Sequence, residues 1–184
     1  AGLAERQAPR NTLRDVRTDP LAIAEHYRQG DDPEVAVPYY VQAAEEAFSH
    51  HDLAETQRLT ELARSCGASG QPLGMLLSLQ SWVAYWNGQE HRILEIGSDA
   101  ISLLVRGSAW WCKTTSLIAS SAIGLGRRAD GKVLVQILLD TSPTADVLDA
   151  YLEALGRVLC AFSARLEREW ARRLLGRIRT LLPQ

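Results

Sequence analysis

Cysteine is scarce, with three in 184 residues at positions 66, 112 and 160. An odd number of widely separated cysteines excludes a disulfide framework, and none stands at metal-ligand spacing from another. Cys66, Cys112 and Cys160 are therefore expected as reduced thiols in a helical core, in keeping with a cytoplasmic chain. Long apolar runs are missing: no stretch approaches the roughly 18 apolar residues of a membrane span, and no signal-peptide pattern is present, so no membrane partner is expected. Period-two alternation is also missing, which removes the case for β-strands. His26, His50, His51 and His91 include no H-x3-H pair on one helix face, so no metal is expected. A net charge of −2 leaves no global attraction to nucleic acid or membrane. The chain opens on Ala1 without methionine, as an excerpt from a longer polypeptide would.

What is present is apolar periodicity. Hydrophobic residues make up 46% of the chain, enough for one sizeable core or a short stack of repeats. Charge is unevenly placed. Residues 20–105 hold 12 acidic against 4 basic side chains, and 106–184 hold 7 against 12, which predicts an acidic and a basic end on an elongated body.

The stretch Val37–Gly70 reads as two amphipathic helices joined at Ser49–Asp52. Tyr40, Ala43, Ala44, Ala47 and Phe48 recur at helical spacing. Asp52 is placed as an N-cap, with Glu55 three residues on completing a capping box. Leu53, Leu59, Leu62, Ala63 and Cys66 follow, and Gly67 stops the helix. Upstream, residues 1–18 read as a linker or flexible N-terminus. Asp19-Pro20 and Asp32-Pro33 each open a helix. Downstream, Gly67–Pro72 reads as a breaker cluster, followed by helices over Leu73–Asn87, Gln89–Val105, Trp110–Leu125, Lys132–Leu139, Ala145–Ala161 and Arg165–Leu182. The whole of 19–184 is thus one all-α domain of about nine helices.

These segments resemble tetratricopeptide repeats, whose first helix carries large-x2-Leu-Gly/Ala-x2-large and whose second carries Ala-x3-Phe and then Pro. The matching runs are Tyr40-x2-Ala43-Ala44-x2-Ala47 with Thr56-x3-Thr60, and Leu77-x2-Gln80-Ser81-x2-Ala84 with Ile93-x3-Gly97. Two more follow: Thr115-x2-Ile118-Ala119-x2-Ala122 with Gly131-x3-Val135 and Pro143, and Leu155-x2-Val158-Leu159-x2-Phe162 with Ala171-x3-Leu175 and Pro183. Thr60, Gln80, Gly97 and Leu159 depart from the consensus. The resemblance implies a right-handed α-solenoid of antiparallel helix pairs, non-enzymatic and acting in protein–protein interaction. The run from His26 to Ala63 is also similar to helical repeats that follow the ATPase module of large bacterial signalling proteins. Those proteins join a serine/threonine kinase or nucleotide cyclase to an AAA-type ATPase, and Arg outnumbers Lys 18 to 2 here, as a GC-rich bacterial genome would give. That likeness implies a regulatory segment whose partner is another protein, a peptide, or other domains of the same polypeptide, with no cofactor.

Candidate chemistry is thin. Gly126–Lys132 fits G-x-x-x-x-G-K, but Val133 stands where a P-loop needs Ser or Thr for Mg²⁺. The alternative function, a nucleotide-binding or catalytic helical domain using this loop, rests on that match alone. A turn whose glycines stop one helix and free the next accounts for the same residues. Glu45-Glu46 with Asp52 and Glu55 reads as a solvated acidic face. Ser120-Ser121 lacks a glycine elbow. Arg165, Arg168, Arg172, Arg173, Arg177 and Arg179 read as the solvated face of the last helix, and nucleic-acid binding is not expected.

The aromatic residues carry the site expectation. Trp82, Tyr85 and Trp86 lie at i, i+3, i+4, and the repeat register puts them on the face that lines the groove of such solenoids. Glu45 and Phe48 occupy the equivalent face of the preceding unit. The expected protein-binding groove is therefore Glu45, Phe48, Trp82, Tyr85 and Trp86, an aromatic floor with acidic character, suited to a peptide or helix bearing apolar and basic side chains.

Overall fold

The computed structural model describes residues 19–30 and 32–182, so the expected linker at 1–18 and Pro183 lie outside the described residues. The described residues form no strand and nine α-helices: α1 Pro20–Arg28, α2 Val37–Ser49, α3 Leu53–Ser65, α4 Gly70–Trp86, α5 Glu90–Leu103, α6 Ala109–Gly124, α7 Arg128–Leu139, α8 Leu148–Ala164 and α9 Arg168–Leu181. Short 3₁₀ turns at Pro33–Ala36 and Ala145–Val147 lead into α2 and α8.

Three helix starts, those of α1, α3 and α6, follow cap chemistry. The side chains of Asp19, Asp52 and Ser108 accept from the amides of Leu21, Glu55 and Trp111 at 3.0, 3.0 and 3.3 Å, satisfying donors that no earlier turn can reach. The expected capping box is only half made. The Glu55 carboxylate engages Arg58 at 2.6 Å, and the Asp52 amide donates back to the Ala47 carbonyl at 3.0 Å, so neither is left for the reciprocal bond. Helices α8 and α9 begin later than expected, at Leu148 and Arg168, while two others begin earlier because a breaker is tolerated in or just after the first turn. Helix α4 begins at Gly70, ahead of Pro72, and α7 begins at Arg128, ahead of Gly131. Proline in a first turn forfeits an amide that had no partner there, and a glycine early in a helix can be retained for packing.

One ending is used five times. The amides of Asp52, Ala68, Gln89, Arg127 and Glu167 each reach back to the carbonyls of Ala47, Ala63, Ala84, Ala122 and Phe162. This is the Schellman closure, whose penultimate residue must turn left-handed. Glycine fills that place at Gly67, Gly88 and Gly126, whereas His51 (φ 62°) and Leu166 (φ 58°) fill it in the other two.

Each helix from α1 to α6 packs on its successor, and α8 packs on α9. The even-numbered helices also touch in series, α2 on α4, α4 on α6 and α6 on α8, so α8 seats mainly on α6. Helix α6 is consequently enclosed: eleven of its sixteen residues are buried, among them Trp111, Leu117, Ile118 and Ile123. Its buried positions are filled by apolar residues and by the small polar side chains Thr114, Thr115, Ser116 and Ser121. The core runs as three clusters, an N-terminal one around Tyr40, Leu59 and Leu76, a central one around Trp82, Ile93 and Leu117, and a C-terminal one around Tyr151, Leu155 and Phe162. Trp110 packs against all three.

Close approach to α6 explains the glycines at its interfaces. A Cβ at Gly131 would stand 2.6 Å from Ile123 Cγ1 and 3.0 Å from the Ala119 carbonyl, and one at Gly97 would stand 2.7 Å from Ile118 Cγ1. Gly131 thus lies inside α7 and is glycine for packing; only Gly126 of the suspected phosphate loop ends a helix. Cys66 and Cys112 are buried as expected, and burial pushes the Cys112 thiol up to about 11. Cys160 is exposed, because its position on α8 faces a hollow between α8 and α6.

Two predictions follow from this packing. Gly131→Ala overpacks the α6–α7 contact and is expected to cost about 1–3 kcal/mol. Gly176→Ala in α9, where an added Cβ meets open space, is expected to stabilise by up to about 1 kcal/mol; thermal melts compare the two.

The second concerns Tyr40, fully buried, whose hydroxyl donates to Glu25 Oε1 at 2.8 Å. Burial and that bond push Tyr40 up to about 12. Its folded value lies above the ordinary one near 10, so its contribution is complete below that pH and is lost as pH rises toward about 12. The guanidinium of Arg28, then Tyr40, hold Glu25 below the usual carboxylate range, so that contribution is present above the ordinary range and lost as pH falls through the lowered value. Tyr40→Phe is expected to lower stability at neutral pH by about 1–2 kcal/mol and to flatten the alkaline fall, read from denaturant melts across pH.

Candidate functional site

The five residues expected to line a groove divide into a buried layer and an exposed one. Trp82 is buried at 6% exposure and Phe48 is half-buried, the two rings meeting edge to face at 6.3 Å. Tyr85 and Trp86, one turn on, stand 40% and 54% exposed. Their rings meet at 5.4 Å, and Tyr85 meets Trp82 at 5.8 Å, so the aromatics form one continuous stack of edges and faces. Three residues at i, i+3, i+4 span about 100° or less of a helix surface, so a single helix can sink the first and present the others.

Two hollows adjoin this stack. The smaller, of about 240 Å³, is walled by Phe48 of α2, His51, Trp82 and Trp86 of α4, Trp110 and Lys113 of α6, and Glu153 and Arg157 of α8. The larger, of about 490 Å³, runs on from it between α6 and α8, past Tyr85, Ser120, Ser121 and Cys160, and shares Glu153 and Arg157. Every even-numbered helix from α2 to α8 therefore contributes to one recessed surface.

The charges arrange differently from the expectation of an acidic floor. Glu45 does not face outward as a free carboxylate: its Oε1 accepts from Trp110 Nε1 at 2.6 Å, tying α2 to α6 across 65 residues of chain. Glu153 pairs with Lys113 at 3.4 Å. Arg157 lays its guanidinium over the Trp82 ring at 4.4 Å and the Tyr85 ring at 5.5 Å. The sequence offered one hint of this contact, since Arg157 lies between the core positions Leu155 and Val158 of α8. The Trp82 Nε1–H beneath it is buried without an acceptor.

His51 closes one side. Its ring meets Trp86 edge-on at 6.1 Å while its backbone is left-handed at φ 62°. A non-glycine residue in that conformation costs on the order of 1 kcal/mol, which glycine would avoid.

The other sequence candidates lie elsewhere. Lys132 pairs with Glu167 at 3.1 Å from within α7. The expected solvated face of the last helix is partly engaged: Arg173 donates to Gln136, Arg177 to the Thr141 carbonyl at 3.2 Å, and Arg165, just before α9, to the Gly124 carbonyl at 3.0 Å. These bonds fasten α9 and its approach to the α6–α7 pair. No group of three or more metal-capable side chains converges among the described residues, and no described helix is long and apolar enough to cross a membrane.

No family model matches the chain, and no curated protein or solved structure matches it either.

The buried and exposed layers separate in a melting experiment. Trp82→Ala removes a buried indole and its ring contacts, and is expected to cost about 3–5 kcal/mol. Trp86→Ala is expected to cost less than about 1 kcal/mol, as its ring is half in solvent; equal losses for both would place Trp86 in the core.

Proposed function

We propose that this chain is a non-catalytic protein-interaction segment, a right-handed solenoid of antiparallel helix pairs of tetratricopeptide type, working within a larger cytoplasmic bacterial signalling protein of the kinase or AAA-type ATPase kind. The observation that carries the reading is the exposed pair Tyr85 and Trp86 on a recessed surface to which α2, α4, α6 and α8 all contribute. Large aromatics that combine apolar area with a polar edge dominate binding hot spots, and a monomer gains nothing by leaving an indole half in water. The serial contacts of the even-numbered helices support the solenoid, because repeated pairs stacked side by side bring the first helix of each pair together on one face. The placement in a signalling protein rests on the sequence likeness of His26–Ala63. Strain at His51 supports the same site, since a left-handed histidine is retained against Trp86 where three sister turns of the chain use glycine in two forms of helix end, before a pair and within one.

The test is capture of partners from bacterial lysate by the immobilised chain, followed by the same capture with variants. Trp86→Ala and Tyr85→Ala are expected to keep their melting temperatures and to lose roughly thirtyfold in affinity for captured partners, about 2 kcal/mol each. His51→Gly is expected to melt higher by a few degrees while binding more weakly. Intact capture by folded Trp86→Ala and Tyr85→Ala would remove this surface from the interaction.

A further inference from the structure

We infer that the recessed surface takes a peptide segment in which an acidic side chain stands next to a large apolar one, with Arg157 receiving the carboxylate; this rests on the proposed interaction role of the surface. The inference starts from which charges are already answered. Two cations line the hollows, Lys113 and Arg157. Lys113 is paired with Glu153 at 3.4 Å. Glu153 precedes Arg157 by one turn of α8, the spacing at which acid and base ordinarily pair along a helix, yet it turns to Lys113 instead. Among the described residues no carboxylate lies within ion-pair distance of Arg157.

Two of the three carboxylates near the hollows, Glu45 and Glu153, are answered too. Glu45 accepts from Trp110 Nε1, and Glu90 is the first residue of α5, at that helix's positive end. At Glu45 or Glu153 a basic ligand would have to displace an existing contact, whereas at Arg157 an acidic one meets a guanidinium with no carboxylate beside it.

The geometry of Arg157 suits a carboxylate. The guanidinium carbon lies over the Trp82 ring at 4.4 Å and over the Tyr85 ring at 5.5 Å, and cation–π contact with the two rings holds the group in place while its N–H donors stay available to an acceptor. A planar fork held in one orientation binds a carboxylate through two parallel hydrogen bonds with little further loss of freedom. The hollow of about 240 Å³ beside it, walled by Phe48, Trp86 and Trp110, has room for one large apolar side chain. An extended or helical segment carrying both groups on one face would fill the two places together.

The test uses fluorescein-labelled synthetic peptides in which Glu flanked by Trp and Leu is compared with matched peptides bearing Gln or Lys in its place, read by anisotropy against the full chain. The Glu peptide is expected to bind at least about tenfold more tightly than the Gln peptide, and the Lys peptide more weakly still. Arg157→Gln is expected to abolish the preference, Arg157→Lys to keep part of it, and Arg128→Gln, at the exposed start of α7, to leave it unchanged; circular dichroism melts confirm that each variant folds. Equal or tighter binding of the Lys peptide, or a Glu preference that survives Arg157→Gln, would overturn the inference. Peptide binding that depends on Trp86 but ignores peptide charge would overturn it and leave the interaction surface standing. Failure of every peptide to bind the unaltered chain would overturn both.

Discussion

The hydrogen bond from Trp110 to Glu45 is the contact on which the rest of this arrangement depends. The indole touches all three core clusters, and its N–H needs an acceptor once the ring is half-buried. A charged acceptor on α2 makes that bond stronger than a neutral one and fixes how far α6 stands from α2. Helix α4 packs on both, so its rotation about its own axis is constrained from two sides. That rotation decides which of Trp82, Tyr85 and Trp86 is buried. A helix pair folding by itself could not set it, because the determining contact comes from a residue more than sixty positions away.

Small side chains make the close spacing possible. Gly97 and Gly131 admit the isoleucines of α6, and Ser78, Ser81 and Thr60 are buried with their hydroxyls returned to carbonyls of their own helices, at 2.8 Å in each case. A hydroxyl satisfied within its own turn presents only a small, closed surface to the neighbouring helix. At these three positions the helices approach without leaving the hydroxyl unanswered.

The fold class was legible because its signals are local. Apolar spacing, Asp19, Asp52, and the glycines at 67, 88 and 126 act within a few residues, and the helices they bound are present nearly where they were expected. The errors have the same cause seen from the other side. Gly131 was read as punctuation because a glycine's tertiary reason, a neighbouring isoleucine, leaves no trace in its own segment. Cys160 was read as core because spacing alone does not say that α8 turns one face to a hollow. The candidate site was legible in its aromatics and not in its charges. Tyr85 and Trp86 follow from position on one helix, whereas Arg157 meets Trp82 only after α4 and α8 have both packed on α6.

The turns add an argument that the helices alone do not. Five helices close with the same backbone bonds, and three of those closures use the glycine that the conformation favours. At the other two a side chain in the left-handed region costs on the order of 1 kcal/mol relative to glycine. For Leu166, 81% exposed, no packing offsets the cost within the chain. For His51 the offset is visible: its ring flanks Trp86, in the wall of the hollow beside Arg157. Local stability is thus given up at the edge of the surface where an indole is also left half in solvent and a guanidinium is left without a carboxylate. Each departure is small by itself, and the three meet on one recess, where the left-handed His51, the exposed Trp86 and the guanidinium of Arg157 all line the same hollow.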